Sequence, residues 1–168
     1  MTTAAGRGID LDALTEERER IRKRFLMHPR PESSARGIHH TALICSDVRK
    51  TVEFYQDVLE FPLTEMFENR DLPGSTHFFF DVGAGNQLAY FDLPGVPTTE
   101  YAEVLGGKHH IAISVTHEKW HHLRAKLDDA GIPYEIHSRV SLYFSGPDGE
   151  RLELIADPLG ELYGTKML

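Results

Sequence analysis

A chain of 168 residues with 26 Asp and Glu against 18 Lys and Arg carries a formal charge of −8, which argues against a nucleic-acid backbone as partner. It is 40% hydrophobic and 26% charged, the balance of a globular protein, and long enough for one real core or two small fused modules. No apolar run approaches the roughly 18–20 residues that span a bilayer; the opening MTTAAGRGIDLDALTEERER has no apolar signal core, and the single cysteine, Cys45, excludes an internal disulfide, so a cytoplasmic protein without a membrane partner is expected.

Residues 1–36 read as an arm. Leu11, Leu14, Ile21 and Phe25 fall near one face of a helix over 10–27, and HPRPESSARG then breaks it into an extended linker. This arm is expected to pack on its own domain or on a second subunit. From residue 37 the period changes. A strand over 38–45 leads into a helix over 47–60, with Asp47 as N-cap and Val48, Val52, Tyr55 and Leu59 on one face. Strands near 61–68, 75–82 and 86–91 follow, parted by Pro, Gly and Asn. Residues 92–107 form a connector. A strand over 108–115, a helix over 117–130 ended by Gly131, and strands near 134–138, 141–145 and 150–156 then repeat the order.

The chain therefore reads βαβββ twice: module one over 37–91, module two over 108–157, with a tail over 158–168. GIHH at 37–40 and GKHH at 107–110 lie 70 residues apart, and Ala42 and Ala112 match at the same offset. This is an internal duplication.

Strand side chains alternate between faces. His40, Ala42 and Ile44 share one face; His110, Ala112 and Ser114 share its counterpart, which is small and polar and suits the wall of a cavity. His40 and His110 are thus placed on a cleft, and His39 and His109 on the helix side or its edge. A metal needs a further protein ligand, often a carboxylate. In SLYFSGPDGERLELIADP, Glu153 points away from the apolar face made by Leu142, Phe144, Leu152 and Leu154. A carboxylate in such a strand costs several kcal/mol unless it is paired or binds a metal. The turn Pro147-Asp148-Gly149, with Gly149 left-handed, sets a register that opposes Tyr143 to Glu153, with Cβ atoms about 4.5–5.5 Å apart. Gln87, which shares a face with Ala89 and Phe91, is a candidate fourth ligand through its amide oxygen, or a hydrogen bonder at the rim. His117, His121 and His122 sit on a polar helix face, and Cys45 is expected to be an inert buried thiol.

HHTALICSDVRKTVEFYQDVL, GKHHIAISV and SLYFSGPDGERLELIADP resemble the vicinal oxygen chelate superfamily, over residues 37–157. That superfamily includes glyoxalase I, extradiol dioxygenases, fosfomycin-resistance thiol transferases, bleomycin-binding proteins and methylmalonyl-CoA epimerase. The resemblance implies an α+β fold in which paired βαβββ modules curve around a divalent metal held at His40, His110 and Glu153. It implies a small-molecule substrate with vicinal oxygens, and a homodimer with modules packed across a two-fold axis. The SLYFSGPDGERLEL hairpin looks most like extradiol dioxygenases and the fosfomycin-resistance group; the extradiol resemblance implies Fe2+ or Mn2+ and a substrate contact from Tyr143. The departure is the lack of a histidine at Asn86–Gln87, for which His77 and His137 are the nearest substitutes. The set His40, Gln87, His110 and Glu153 also resembles the epimerase, and glyoxalase I has glutamate where Gln87 stands; this alternative is a lyase or isomerase acting through an enediolate, for which Ni2+, Co2+ or Zn2+ would serve. Gln87 would be a poor base there, having no titratable proton. Thiol addition ranks lower, because the potassium-loop and phosphonate-binding residues are not evident. A metal-free cleft that sequesters a drug is the non-enzyme alternative.

Overall fold

The computed structural model describes residues 10–26, 29–95, 97 and 99–168. It divides into two units, residues 1–37 and residues 38–168. The first unit holds α1 (Leu11–Phe25), started by the Asp10 carboxylate accepting from the Ala13 N–H at 2.9 Å. Asp12 in the first turn and Arg22, Lys23 and Arg24 in the last match the helix dipole. No residue of α1 is buried. The sequence extends this helix to residue 27, which lies outside the described residues, as do residues 1–9.

The second unit repeats one topology. Module one comprises β1 (His40–Cys45), α2 (Val48–Val52) continued by a π-helical turn (Glu53–Val58), β2 (Leu63–Glu68), β3 (Thr76–Asp81) and β4 (Gln87–Asp92). Module two comprises β5 (Ile111–Ser114), α3 (His117–Asp129), β6 (Tyr134–His137), β7 (Ser141–Ser145) and β8 (Arg151–Ile155). The strand orders are β1-β4-β3-β2 and β5-β8-β7-β6, so each sheet has one parallel pair and two antiparallel ones. This is the α+β duplication expected from the repeat. Among the described helices none is long and apolar enough to cross a membrane.

The expected α-helix over 47–60 is corrected in its second half. Leu59 N–H donates to the Phe54 carbonyl at 3.1 Å, five residues back. The extra residue per turn brings Phe54 and Tyr55, neighbours in sequence, both into the core. Within the tail, β9 (Glu161–Leu162) and β10 (Thr165–Lys166) form a small hairpin.

Both modules contribute to one core, from Tyr55, Phe78, Phe80 and Tyr90 to Trp120, Leu123, Leu127, Leu142, Leu152 and Leu154. A polar centre joins them. Glu150, at the tip of the β7–β8 hairpin, is 4% exposed. Its Oε1 accepts from the Tyr55 hydroxyl at 2.8 Å and the Tyr90 hydroxyl at 3.2 Å, and its Oε2 from the Asp148 N–H at 3.0 Å. Burial raises both phenols well above their usual range, so they remain donors.

At the surface Glu60 (φ +58) closes the π-helical turn and receives His122 at 2.8 Å, Lys119 at 3.1 Å and Lys126 at 3.6 Å from α3. His122, expected to be solvated, is thus tied to module one. The His122 and Lys119 hydrogen bonds hold the Glu60 carboxyl down at about 2, against an ordinary 4.5. A depressed folded-state value stabilises above the unfolded value and is lost as pH falls toward the folded one. Glu60→Gln is therefore expected to lower Tm slightly at pH 7 and to flatten the loss of stability between about pH 4.5 and 2, read by thermal melts across that range. The effect is small because solvent screens the cluster.

Candidate metal centre

The period-2 reading of the strands holds in both modules. In β1, Leu43 and Cys45 are buried while His40, Ala42 and Ile44 are exposed. Cys45 is 3% exposed, and burial pushes its thiol up to about 11, which fits an inert role. Around the β7–β8 turn the expected register appears residue for residue: Ser145 faces Arg151, Phe144 faces Leu152 and Tyr143 faces Glu153. Gly149 is left-handed, with φ +82.

Module two gathers the chemistry. Glu153 is 3% exposed, and its Oε2 lies 3.0 Å from Nε2 of His110. Its Oε1 is buried without a hydrogen-bond partner. An orphaned oxygen on a buried carboxylate is costly, and a cation would relieve it. Nδ1 of His110 lies 2.7 Å from Nδ1 of His109, so one ring must carry the shared proton. With that proton on His110 Nδ1, Nε2 keeps its lone pair toward the carboxylate, so His110 and Glu153 could both serve as metal ligands. The same pair recurs at His39 and His40, with Nδ1 atoms 2.9 Å apart. The neighbour histidines, placed by sequence on the helix side, thus orient their partners.

The Tyr143 ring meets His110 at 5.5 Å and His137 at 5.2 Å, both edge-on, and carries the Arg151 guanidinium 4.9 Å above it. Burial, then the adjoining Glu153 and Tyr163, hold its phenol well above the usual range. His137 therefore borders the site, with its Nε2 3.2 Å from Glu135. Tyr163 and Arg151 were not among the residues singled out from sequence. Arg151 was legible, since the register that places Glu153 also opposes Arg151 to Ser145. For Tyr163 the sequence carries no clear signal, since Tyr-Gly is not a favoured two-residue turn and the flanking strands are two residues long.

Module one presents a different face. His40 stands beside Gln87 in register, with Phe79 edge-on at 6.2 Å. Gln87 Nε2 lies 3.5 Å from Thr64 Oγ1. In strict register the counterpart of Glu153 is Ala89, because Ala42 pairs with Ala89 as Ala112 pairs with Glu153. Gln87 therefore occupies a place next to His40 rather than the carboxylate position. His77 stacks on Phe91 at 3.7 Å and lies 4.3 Å from Phe79. Burial, then the nearby His40, hold its imidazole below the usual histidine range. Phe78, by contrast, is in the core.

The expected ligand set is divided between the two faces. His110 and Glu153 come together, but among the described residues no three of His, Cys, Asp and Glu stand close enough to hold a metal ion. A cavity of about 890 Å3 runs along β1 between Ile44, the connector and Glu150 and includes none of His40, His110 and Glu153; another, of about 330 Å3, is lined by Gln87 and by Ile111 to Ser114.

Known proteins share this architecture. The candidate ring-cleaving dioxygenase MhqA of Bacillus subtilis is 27% identical over a match covering 76% of this chain and 42% of MhqA, so the chain spans less than half of that relative. The metallothiol transferase FosB of Staphylococcus epidermidis is 28% identical, covering 71% of this chain and 82% of FosB. Among solved structures, a Glu-to-Gln mutant of the fosfomycin resistance protein FosX of Listeria monocytogenes, complexed with Mn(II) and 1S,2S-dihydroxypropylphosphonic acid, superimposes with a TM-score of 0.58 at 24% identity, over 74% of this chain and 95% of FosX. The family model of the glyoxalase/bleomycin resistance protein/dioxygenase superfamily matches residues 37–154, and the chain belongs to that superfamily.

Proposed function

We propose that this chain is a divalent-metal-dependent enzyme that oxidises a vicinal diol or enol in the manner of extradiol dioxygenases, with Fe2+ or Mn2+. The observation that carries the reading is Glu153: a carboxylate 3% exposed, one oxygen on His110 and the other without a partner. His110 and Glu153 would hold the metal, and His40 would complete the set from a second copy of the chain, with Gln87 beside it. Each chain carries both halves of the set on separate faces, so a two-fold dimer that brings the faces together makes two whole sites. When bound, the metal supplies Lewis-acid activation of two adjacent substrate oxygens.

The chain's own groups then have distinct tasks. Glu153 holds negative charge in a dry place. Tyr143 stays protonated, since burial and Glu153 hold its phenol up, and so donates to a substrate oxygen. Arg151 over the Tyr143 ring keeps that phenol in place. The His77, Phe79 and Phe91 rings give the module-one face an aromatic surface, which suits a planar substrate better than a phosphonate. The likeness to MhqA supports ring cleavage; the likeness to FosB supports metal use. An enediolate lyase or isomerase is the second reading, favoured by Gln87 standing directly beside His40.

The test is metal content and oxygen uptake on anaerobically prepared protein with a panel of catechols. The expected result is about one iron or manganese per chain, with uptake lost in Glu153→Ala. Nickel, cobalt or zinc without oxygen uptake would move the reaction to proton transfer. A wild type that takes up no metal would leave a binding protein.

A further inference from the structure

The connector between the modules reaches the module-two half of the metal centre. Tyr101 anchors it, with its hydroxyl 2.9 Å from the Lys108 carbonyl oxygen and 3.1 Å from that of His109. A turn then closes it. The Gly107 N–H donates to the Val104 carbonyl at 2.9 Å, and Gly106 takes φ +80 at the third place of that turn, where glycine is favoured. A side chain at Gly107 has no room, since its Cβ would sit 2.9 Å from Val104 Cγ2 and 3.1 Å from the Val104 carbonyl oxygen. Between the anchor and the turn stands Glu103.

Glu103 Oε1 lies 3.5 Å from His109 Nε2 and 3.8 Å from the Arg151 guanidinium. His109 Nδ1 is 2.7 Å from His110 Nδ1, and His110 Nε2 is 3.0 Å from Glu153. Two imidazoles thus form a chain with a carboxylate at each end. A single hydrogen lies between the rings, which couples their tautomers. When His109 carries its proton on Nε2, beside Glu103, its Nδ1 accepts, and the hydrogen between the rings belongs to His110. His110 Nε2 is then bare. The reverse arrangement puts the His110 proton on Nε2, where it faces Glu153 and blocks a cation. Glu103 favours the first arrangement, because its charge attracts an N–H and repels a lone pair. Glu153 favours the second until a cation neutralises it; from then on the bias comes from Glu103. His39 and His40 make the same ring contact at 2.9 Å, yet among the described residues His39 forms no ion pair with an acid.

We propose that Glu103 is a positioning residue of the metal centre: through His109 it selects the tautomer of His110 that leaves Nε2 open to a divalent cation. This rests on the metal-enzyme reading above. Glu103 itself touches neither cation nor substrate. Its side chain and that of His109 are 55% and 60% exposed, so its effect is modest and sensitive to salt.

The experiment titrates the full chain with Mn(II) and follows the free ion by electron paramagnetic resonance. Glu103→Gln is expected to raise the Mn(II) Kd about three- to fivefold at low ionic strength with Tm unchanged, and the difference should shrink at about 0.5 M KCl. His109→Phe keeps a ring in place and removes both nitrogens. Adding Glu103→Gln to it should change the Kd no further. A glutamate that only braced the loop would lower Tm and act in both backgrounds. Long-range 1H–15N spectra of the Zn(II)-loaded wild type should show His109 protonated on Nε2; a proton on Nδ1 instead would overturn the proposal. If Glu103→Gln binds Mn(II) as the wild type does, or weakens it equally in the His109→Phe background, the role of Glu103 is overturned and the metal-enzyme reading stands. If the wild type takes up no Mn(II), the metal-enzyme reading falls and the role of Glu103 with it.

Discussion

Equal amounts of His40→Ala and Glu153→Ala chains, each unable alone to hold a divalent ion, are expected to recover about a quarter of the wild-type metal content when unfolded together and refolded. Each substitution removes one of the proposed ligands, so each homodimer should lose more than about 100-fold in affinity. A dimer of the two kinds has one site built from the intact His40 of one chain and the intact His110–Glu153 pair of the other. Its second site lacks both. Half of the dimers are mixed, and half of their sites are whole. The control is decisive: His110→Ala refolded with Glu153→Ala should recover nothing, because both ligands lie in module two of the same chain, 3.0 Å apart. Recovery by neither mixture would mean that the ligand set closes within one chain. Metal analysis after gel filtration reads all three cases.

The second large effect is on stability. Gly146→Ala is expected to cost about 3 kcal/mol, or a fall in Tm of roughly 10 °C. Gly146 does not have a left-handed backbone; its constraint is space. A Cβ there would sit 2.2 Å from the carboxyl carbon of Glu150. The carboxylate has no retreat, since one oxygen takes the Tyr55 and Tyr90 hydroxyls and the other the Asp148 N–H. Displacing it leaves the Tyr55 hydroxyl and the Asp148 N–H without their acceptor, while the Tyr90 hydroxyl still donates to Tyr55 at 2.6 Å; each lost acceptor costs about 1–3 kcal/mol. Glu150→Gln keeps the shape and an acceptor oxygen, so it should melt well above Gly146→Ala. Thermal denaturation of both variants checks the order; equal melting for Gly146→Ala and wild type would show that the carboxylate can swing aside.

The duplication, the strand faces and the Tyr143–Glu153 pairing were all legible, because alternation, the repeated histidine pair and a Pro-Asp-Gly turn are local signals. What was not legible depends on distant residues. Glu150 opens the expected strand near 150–156, where no local pattern marks it as buried; its burial comes from Tyr55 and Tyr90 in the other module, 95 and 60 residues away. The helical period placed Tyr55 and Leu59 inward but could not reveal the π-helical turn that adds Phe54. Alternation told which side of β1 bears His40. It could not tell that, among the described residues, His40 does not join His110 and Glu153 in one metal-holding cluster. The tail was passed over because strands of two residues leave almost no pattern.

The inert thiol of Cys45 has a practical consequence. It is the only cysteine of the chain, it is 3% exposed, and its thiol is pushed up to about 11. Thiol-directed reagents should therefore pass over the native protein at neutral pH. A cysteine introduced at Glu135, whose side chain is 76% exposed, would be the single reactive handle on each copy. Spin labels attached there would report the separation between copies directly, with no background to subtract and no dependence on knowing the substrate.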